Sequence, residues 1–182
     1  MRPTRTVALK AVDGGVQLPS LSRVRPEDPA IALMTGFRHT SPICVEPGTR
    51  LEDALNRMIY AGVRLLFVKG ARTALLGHVT AADIQGEKPL LYLQSGDCRQ
   101  DVCRWHDVRV EDIMTRVAHW RVLDFADVMH ATAADIAATH ERLCAHHLIV
   151  CERGGQGWTV RGLFSATRTA CQLCEPVAIS SA

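Results

Sequence analysis

The sequence predicts an α/β protein built from one small unit stated twice, the two copies packed with pseudo-two-fold symmetry around a shared crevice. Three observations carry this. Leu33-Met34-Thr35 returns as Ile113-Met114-Thr115. In both copies a helical run leads into a short, almost wholly apolar segment, Val63 to Val68 and then Leu148 to Cys151. Both copies close on a glycine-led strand that runs into a hydroxyl residue, Gly77-His78-Val79-Thr80 and Gly162-Leu163-Phe164-Ser165. Matching positions are 80 residues apart at Met34 and Met114, 82 at Leu66 and Leu148, and 85 at Gly77 and Gly162. The drift therefore falls in connections, as expected when elements match and loops vary.

Each copy reads strand, helix, strand, strand, helix. Residues 1–28 form an irregular lead-in, rich in glycine and proline, with one short strand at Val7-Ala8-Leu9. The first repeat takes residues 29–88. Its first strand is Ile43-Cys44-Val45, ended by Pro47-Gly48. Thr49-Arg50-Leu51-Glu52 has the form of a capping box. Behind it Leu51, Ala54, Leu55, Met58 and Ile59 recur at helical spacing. Gly62 suits the position past a helix end, where positive φ costs little. Val63 to Val68 reads as a strand buried on both faces, Leu75 to Val79 as its partner, and a helix opens near Thr80. Residues 89–109 link the copies, with Leu90 to Leu93 finishing a helix. The second repeat takes residues 110–174: a strand at Arg121-Val122-Leu123, a second capping box at Thr132-Ala133-Ala134-Asp135, and a strand pair joined through Gly154-Gly155-Gln156-Gly157. Residues 175–182 form a frayed tail.

Composition narrows the function. Apolar residues make up 47% of the 182, enough for a core. A net charge of +2 from 21 basic and 19 acidic residues argues against a nucleic-acid footprint, which needs clustered basic charge. No apolar run is long enough to span a membrane, and no apolar stretch follows the basic start as a signal peptide would require. The seven cysteines are an odd number, and Cys44, Cys144 and Cys151 lie inside apolar patterns, so a cytoplasmic protein with free thiols is expected.

These motifs, in this order and repeated, resemble a tandem pair of CBS domains (named after cystathionine β-synthase), or Bateman module. The resemblance covers roughly residues 28–174. It implies an α/β module of two β-α-β-β-α repeats whose central clefts bind adenosyl ligands such as AMP, ADP, ATP or S-adenosylmethionine. It also implies a homodimer that regulates an attached or partner protein. No cofactor is required and no catalysis is expected.

The residues support a site on their own chemistry. Thr80 ends a strand and opens a helix, where free amides and the helix dipole favour an anion. Asp83 lies one turn on, and a carboxylate can accept from two vicinal hydroxyls of a ribose. The resemblance assigns Thr80 and Asp83 those roles, gives Arg64 a phosphate contact, and puts the adenine ring near Ile43 with Thr40 at its edge. The same Thr-x-x-Asp pattern is also a good helix cap with no ligand at all. The second copy departs from the pattern: Ser165 keeps the hydroxyl, but Arg168 stands where the carboxylate belongs. That cleft, with Ser165, Arg168 and His146, is either silent or takes an anion, because a guanidinium cannot accept a hydroxyl proton.

Cys171-Gln172-Leu173-Cys174, with Cys98 and Cys103 elsewhere, has a loose metal or redox spacing; i and i+3 on a helix also simply share a face, and no metal site is assigned. His140 falls on an apolar helical stripe and reads as a core histidine. No Ser-His-Asp order and no phosphate-loop glycine spacing is present. The expected function is therefore a regulatory ligand-sensing module that binds an adenine nucleotide or related adenosyl compound in an inter-repeat cleft and changes conformation or partner interaction. The alternatives are a structural dimerisation module with empty clefts, or a metal- or thiol-redox-responsive protein.

Overall fold

The structure, a computed structural model, describes residues 11, 23–38, 40–71, 74–95, 104–155 and 157–173. The expected strand at Val7 to Leu9, Cys98, Cys103, Cys174 and the tail from residue 175 lie outside these.

In chain order, a 3-10 turn at Ala30–Leu33 leads into β1 (Thr35–Gly36), β2 (Cys44–Val45), α1 (Leu51–Ala61), β3 (Leu65–Lys69), β4 (Leu75–Thr80), α2 (Ala81–Gln85) and α3 (Lys88–Gln94). The second pass gives α4 (Val110–Ile113), β5 (Thr115–Arg116), β6 (Leu123–Asp124), α5 (Phe125–Val128), α6 (Ala133–Leu143), β7 (His147–Gly154), β8 (Gly157–Ser165) and α7 (Ala166–Leu173). They form two four-stranded sheets, ordered β1-β8-β7-β6 and β2-β3-β4-β5. In each sheet the short strand before the long helix runs parallel to the apolar strand after it, β2 beside β3 and β6 beside β7. That is the crossover geometry a strand-helix-strand unit produces.

The outer strands cross over. β1 pairs with β8, placing Thr35 opposite Leu163 and Gly36 opposite Gly162. β5 pairs with β4, placing Thr115 opposite His78 and Arg116 opposite Gly77. Backbone bonds upstream repeat the exchange: the Ala30 amide donates to the Ala131 carbonyl, and the Val110 amide to the Thr49 carbonyl. Each sequence repeat thus lends its opening segment to the other's sheet. The glycines permit it. A Cβ on Gly77 would collide with the Thr115 carbonyl, and one on Gly162 with the Thr35 carbonyl, so close backbone approach requires glycine at both.

This exchange also changes one helix start. The first turn of α1 has Arg50, not Thr49, as its N-cap, and no side chain caps it. Thr49 is held a residue too early, its carbonyl taken by Val110 and Arg50 bridged to Arg109. The second expected box does form: the Thr132 hydroxyl accepts from the Asp135 amide and the Asp135 carboxylate from the Thr132 amide. Gly62 ends α1 in the left-handed region at φ 65°. Cys144 ends α6 in the same conformation at φ 47°, where a side chain is strained.

Three apolar clusters hold the fold. Leu51, Met58, Leu66, Val68 and Val79 centre one, and Leu33, Ile136, Val150 and Phe164 another. A third, of Leu65, Phe67, Ile149 and Cys151, joins the inner faces of β3 and β7 and welds the two sheets. β3 is buried along four of its five residues, as its two-sided role demands. His140 is 6% exposed within its helix, its Nδ1 proton donated to the Ala145 carbonyl at 2.7 Å.

Candidate functional site

At the end of β4 the chain must leave a sheet and begin a helix. Thr80 makes the turn as N-cap of α2. Its hydroxyl accepts from the Asp83 amide at 3.1 Å and donates to Asp83 Oδ2 at 2.7 Å, while the Thr80 amide donates to the same oxygen at 2.8 Å. Asp83 Oδ1 faces the Lys88 ammonium at 2.7 Å. Lys88 reaches on to the Ile113 carbonyl and the Thr115 hydroxyl, tying α3 to the segment that β5 brings across. Burial alone would raise the Asp83 pKa; the bonds from Lys88 and Thr80 outweigh it and hold the carboxyl below its usual range. Beside this knot the Trp120 indole packs on His78 at 5.4 Å and on Phe67 at 6.0 Å, and donates to the Thr115 carbonyl. Both Asp83 oxygens are therefore engaged by the protein itself.

Two adjoining cavities open where the repeats meet. The first, of about 470 Å³, has Phe37, Ile43, Phe67 and Leu163 as its apolar walls. Its polar groups come from both repeats: Thr40 and Arg64 from one, Ser165 and Arg168 from the other. Arg168 donates to the Thr35 hydroxyl at 3.0 Å, which fixes its guanidinium beside the exchanged strand. The second cavity, of about 560 Å³, shares Arg64, His147 and Ser165 with the first and adds Thr80 and His146. A third depression, of about 730 Å³, runs along the outer side of α1 past Asp53, Arg57, Tyr60 and Lys69. It holds none of the expected ligand residues, and its charges are of both signs.

The structure therefore regroups the residues singled out by sequence. Thr40, Ile43 and Arg64 do not gather around Asp83. They share a cavity with Ser165 and Arg168; Arg64 and Ser165 also line the neighbouring cavity with Thr80 and His146, and Asp83 lines neither. The reason is the strand exchange, which swings the opening segment of each repeat towards the closing motif of the other.

His147 lies between the two cavities and was not foreseen as a site residue. Burial, followed by the neighbouring His78, His146, His140 and Arg64, lowers its pKa from 6.5 to about 4. His78 is lowered too, by burial and by Lys88, against the opposing pull of Asp83. Nδ1 of each is buried without a hydrogen-bond partner. Both rings are neutral at pH 7, so the positive charge at the cavities comes from arginine. The one available signal was position: His147 occupies the place that Leu65 fills in the first repeat, 82 residues earlier.

Among the described residues no group of three or more His, Cys, Asp or Glu is placed to hold a metal ion, and no helix is long and apolar enough to cross a membrane.

No family model matches the chain, and no curated protein matches it. Solved structures do. CBSX2 in complex with AMP superposes with a TM-score of 0.53 at 19% identity, over 79% of this chain and 94% of that one. An uncharacterized conserved protein from Pyrococcus horikoshii gives 0.54 at 18% identity, over 85% and 100%. A putative signal-transduction protein with CBS domains from Burkholderia ambifaria MC40-6 gives 0.51 at 21%, over 78% and 87%. Two four-stranded sheets with reciprocal outer strands, in a chain whose sequence repeats in step with them, and these superpositions lead to one assignment: the fold is that of a tandem CBS-domain pair.

Proposed function

We propose that this chain is a regulatory module that binds an adenine nucleotide or related adenosyl compound in the crevice between its repeats, without turnover, and changes its shape or its hold on a partner protein in response. The observation that carries the reading is the cavity of about 470 Å³, apolar on its walls and lined by hydroxyl and guanidinium groups from both repeats. Its volume lies within the range of small-molecule sites. A flat base fits between Ile43 and the aromatic side chains, with Thr40 at its edge. Phosphate oxygens fit Arg64 and the adjoining wall, where Thr80, Ser165 and His146 stand. The AMP held by CBSX2, a protein of the same fold, supports this ligand class. A ligand that bridges the repeats has a route to regulation, since its contacts differ whenever the repeats shift.

In this reading the Thr80–Asp83 junction is the second, reserve half of the crevice. A ribose that reaches Asp83 must displace Lys88 from Oδ1. The protein acts as a homodimer: Ile59, Tyr60 and Leu143 are exposed on the last turns of α1 and α6, the matching helices of the two repeats, and apolar groups so placed suit a shared face.

Isothermal titration with AMP, ADP, ATP and S-adenosylmethionine, alongside thermal shift, tests the proposal. At least one is expected to bind and raise the melting temperature by linkage, and Arg64→Ala is expected to weaken a phosphorylated ligand by about tenfold or more, the loss of one charge-assisted contact. The reading fails if none of the four binds at millimolar concentration. Sedimentation equilibrium showing only monomer would refute the dimer.

A further inference from the structure

The cavity between the repeats carries charge of one sign only. Arg64 and Arg168 both line it, from opposite repeats, and no carboxylate among the described residues does. Neither guanidinium has an ion pair among the described residues; Arg168 has the Thr35 hydroxyl alone. A guanidinium donates and cannot accept. A sugar edge brought against Arg168 therefore gains nothing from its hydroxyl protons, whereas an anion there gains a charge-assisted contact of the kind a guanidinium makes in bidentate form.

Resting on the adenosyl reading above, we infer that this cavity selects a ligand with two separate anionic groups on one flat apolar body, one group for Arg64 and one for Arg168. Among adenine nucleotides that describes a nucleoside bisphosphate, with a phosphate on the sugar edge as well as on the 5′ carbon. Arg168 is then the residue that sets specificity. It reverses the preference that a carboxylate at the same place would impose, from a free diol to a phosphorylated one. The side chain is held for this task, since the Thr35 contact comes from a strand that the other repeat supplies.

The test compares adenosine 3′,5′-bisphosphate, adenosine 2′,5′-bisphosphate and AMP by isothermal titration on the full chain. At least one bisphosphate is expected to bind tenfold or more tighter than AMP. Arg168→Gln is expected to erase that preference, weakening the bisphosphates more than AMP, and Arg168→Lys to keep part of it. If AMP binds and neither bisphosphate binds better, or if Arg168→Gln weakens all three alike, this inference is wrong and the adenosyl reading stands. If none of the three binds, this inference is wrong, and the adenosyl reading falls as well only when ADP, ATP and S-adenosylmethionine also fail to bind. The wild-type comparison decides the matter even if the variants do not fold.

Discussion

Acid should loosen this protein well before its carboxylates protonate, and His147 is the reason. In the unfolded chain its imidazole takes a proton near pH 6.5, and in the folded protein only near pH 4. Between those values the unfolded state binds a proton that the folded state refuses, so stability rises with pH and is lost as pH falls. The gap is about 2.5 pH units, each worth about 1.36 kcal/mol, and the loss between pH 6.5 and pH 4 is about 3 kcal/mol. His78 has the same sign and adds to it. The Asp83 carboxylate, whose pKa is lowered, contributes stability that disappears only further down, as pH falls through its folded value. Urea titrations at half-unit intervals from pH 7.5 to 4 measure the slope. In His147→Leu, which installs the residue that the first repeat carries at Leu65, the slope over pH 6.5 to 4.5 should shrink to the part that His78 supplies. A wild-type stability flat over that window, or parallel curves for wild type and variant, would sink the argument.

Other perturbations follow from the geometry. Lys88→Ala removes the ammonium from Asp83 Oδ1; it is expected to cost about 1–3 kcal/mol, the range for a charged hydrogen bond, and to expose a carboxylate that admits a second nucleotide, visible as a second binding event by calorimetry. An unchanged stoichiometry would show that Trp120, not Lys88, closes that half. Gly162→Ala drives a methyl into the Thr35 carbonyl and the Met34 side chain, so a loss of about 1–3 kcal/mol is expected by chemical denaturation. Cys144→Gly relieves a left-handed residue at the end of α6 and should raise stability by up to about 1 kcal/mol.

The element pattern was legible because it depends on local rules. Apolar spacing marked α1, and a continuous apolar run marked β3. The left-handed helix end was signalled by Gly62 but not by Cys144, which takes that conformation against its own preference. What sequence could not show was the exchange of outer strands, since pairing between segments far apart in the chain, such as Thr35 with Leu163 and His78 with Thr115, leaves no periodic trace. Its one local mark was the glycine in each closing strand, readable only once the partner carbonyl is in place. The same blindness misplaced the capping of α1, where Thr49 has the chemistry of a cap but is held by Val110. Nor did the sequence show that Arg64, which shares one cavity with Thr80, also lines the other with Arg168.

Divergence between the two copies turns a symmetric scaffold into an asymmetric one. Where one closing motif has Asp83, the other has Arg168; where one apolar strand has Leu65, the other has His147; where one helix is followed by Arg64, the other is followed by His146. Each change acts on the crevice in the same sense. At the Asp83 end the chain supplies its own cation through Lys88 and its own flat ring through Trp120, on the loop between β5 and β6. At the Arg168 end the matching loop between β1 and β2 lines the cavity with Phe37, Thr40 and Ser41, and the guanidinium has no carboxylate partner among the described residues. The Lys88 ammonium satisfies the Asp83 carboxylate from within the chain, whereas Arg64 and Arg168 have no carboxylate partner among the described residues. In the proposed function the half that carries its own partners is a brace, and the half that lacks them is where the ligand enters. Under the proposed function, the route from that cavity to the rest of the fold runs through Phe67 and Ile149, because theirs is the only apolar cluster among the described residues in which β3 and β7 meet.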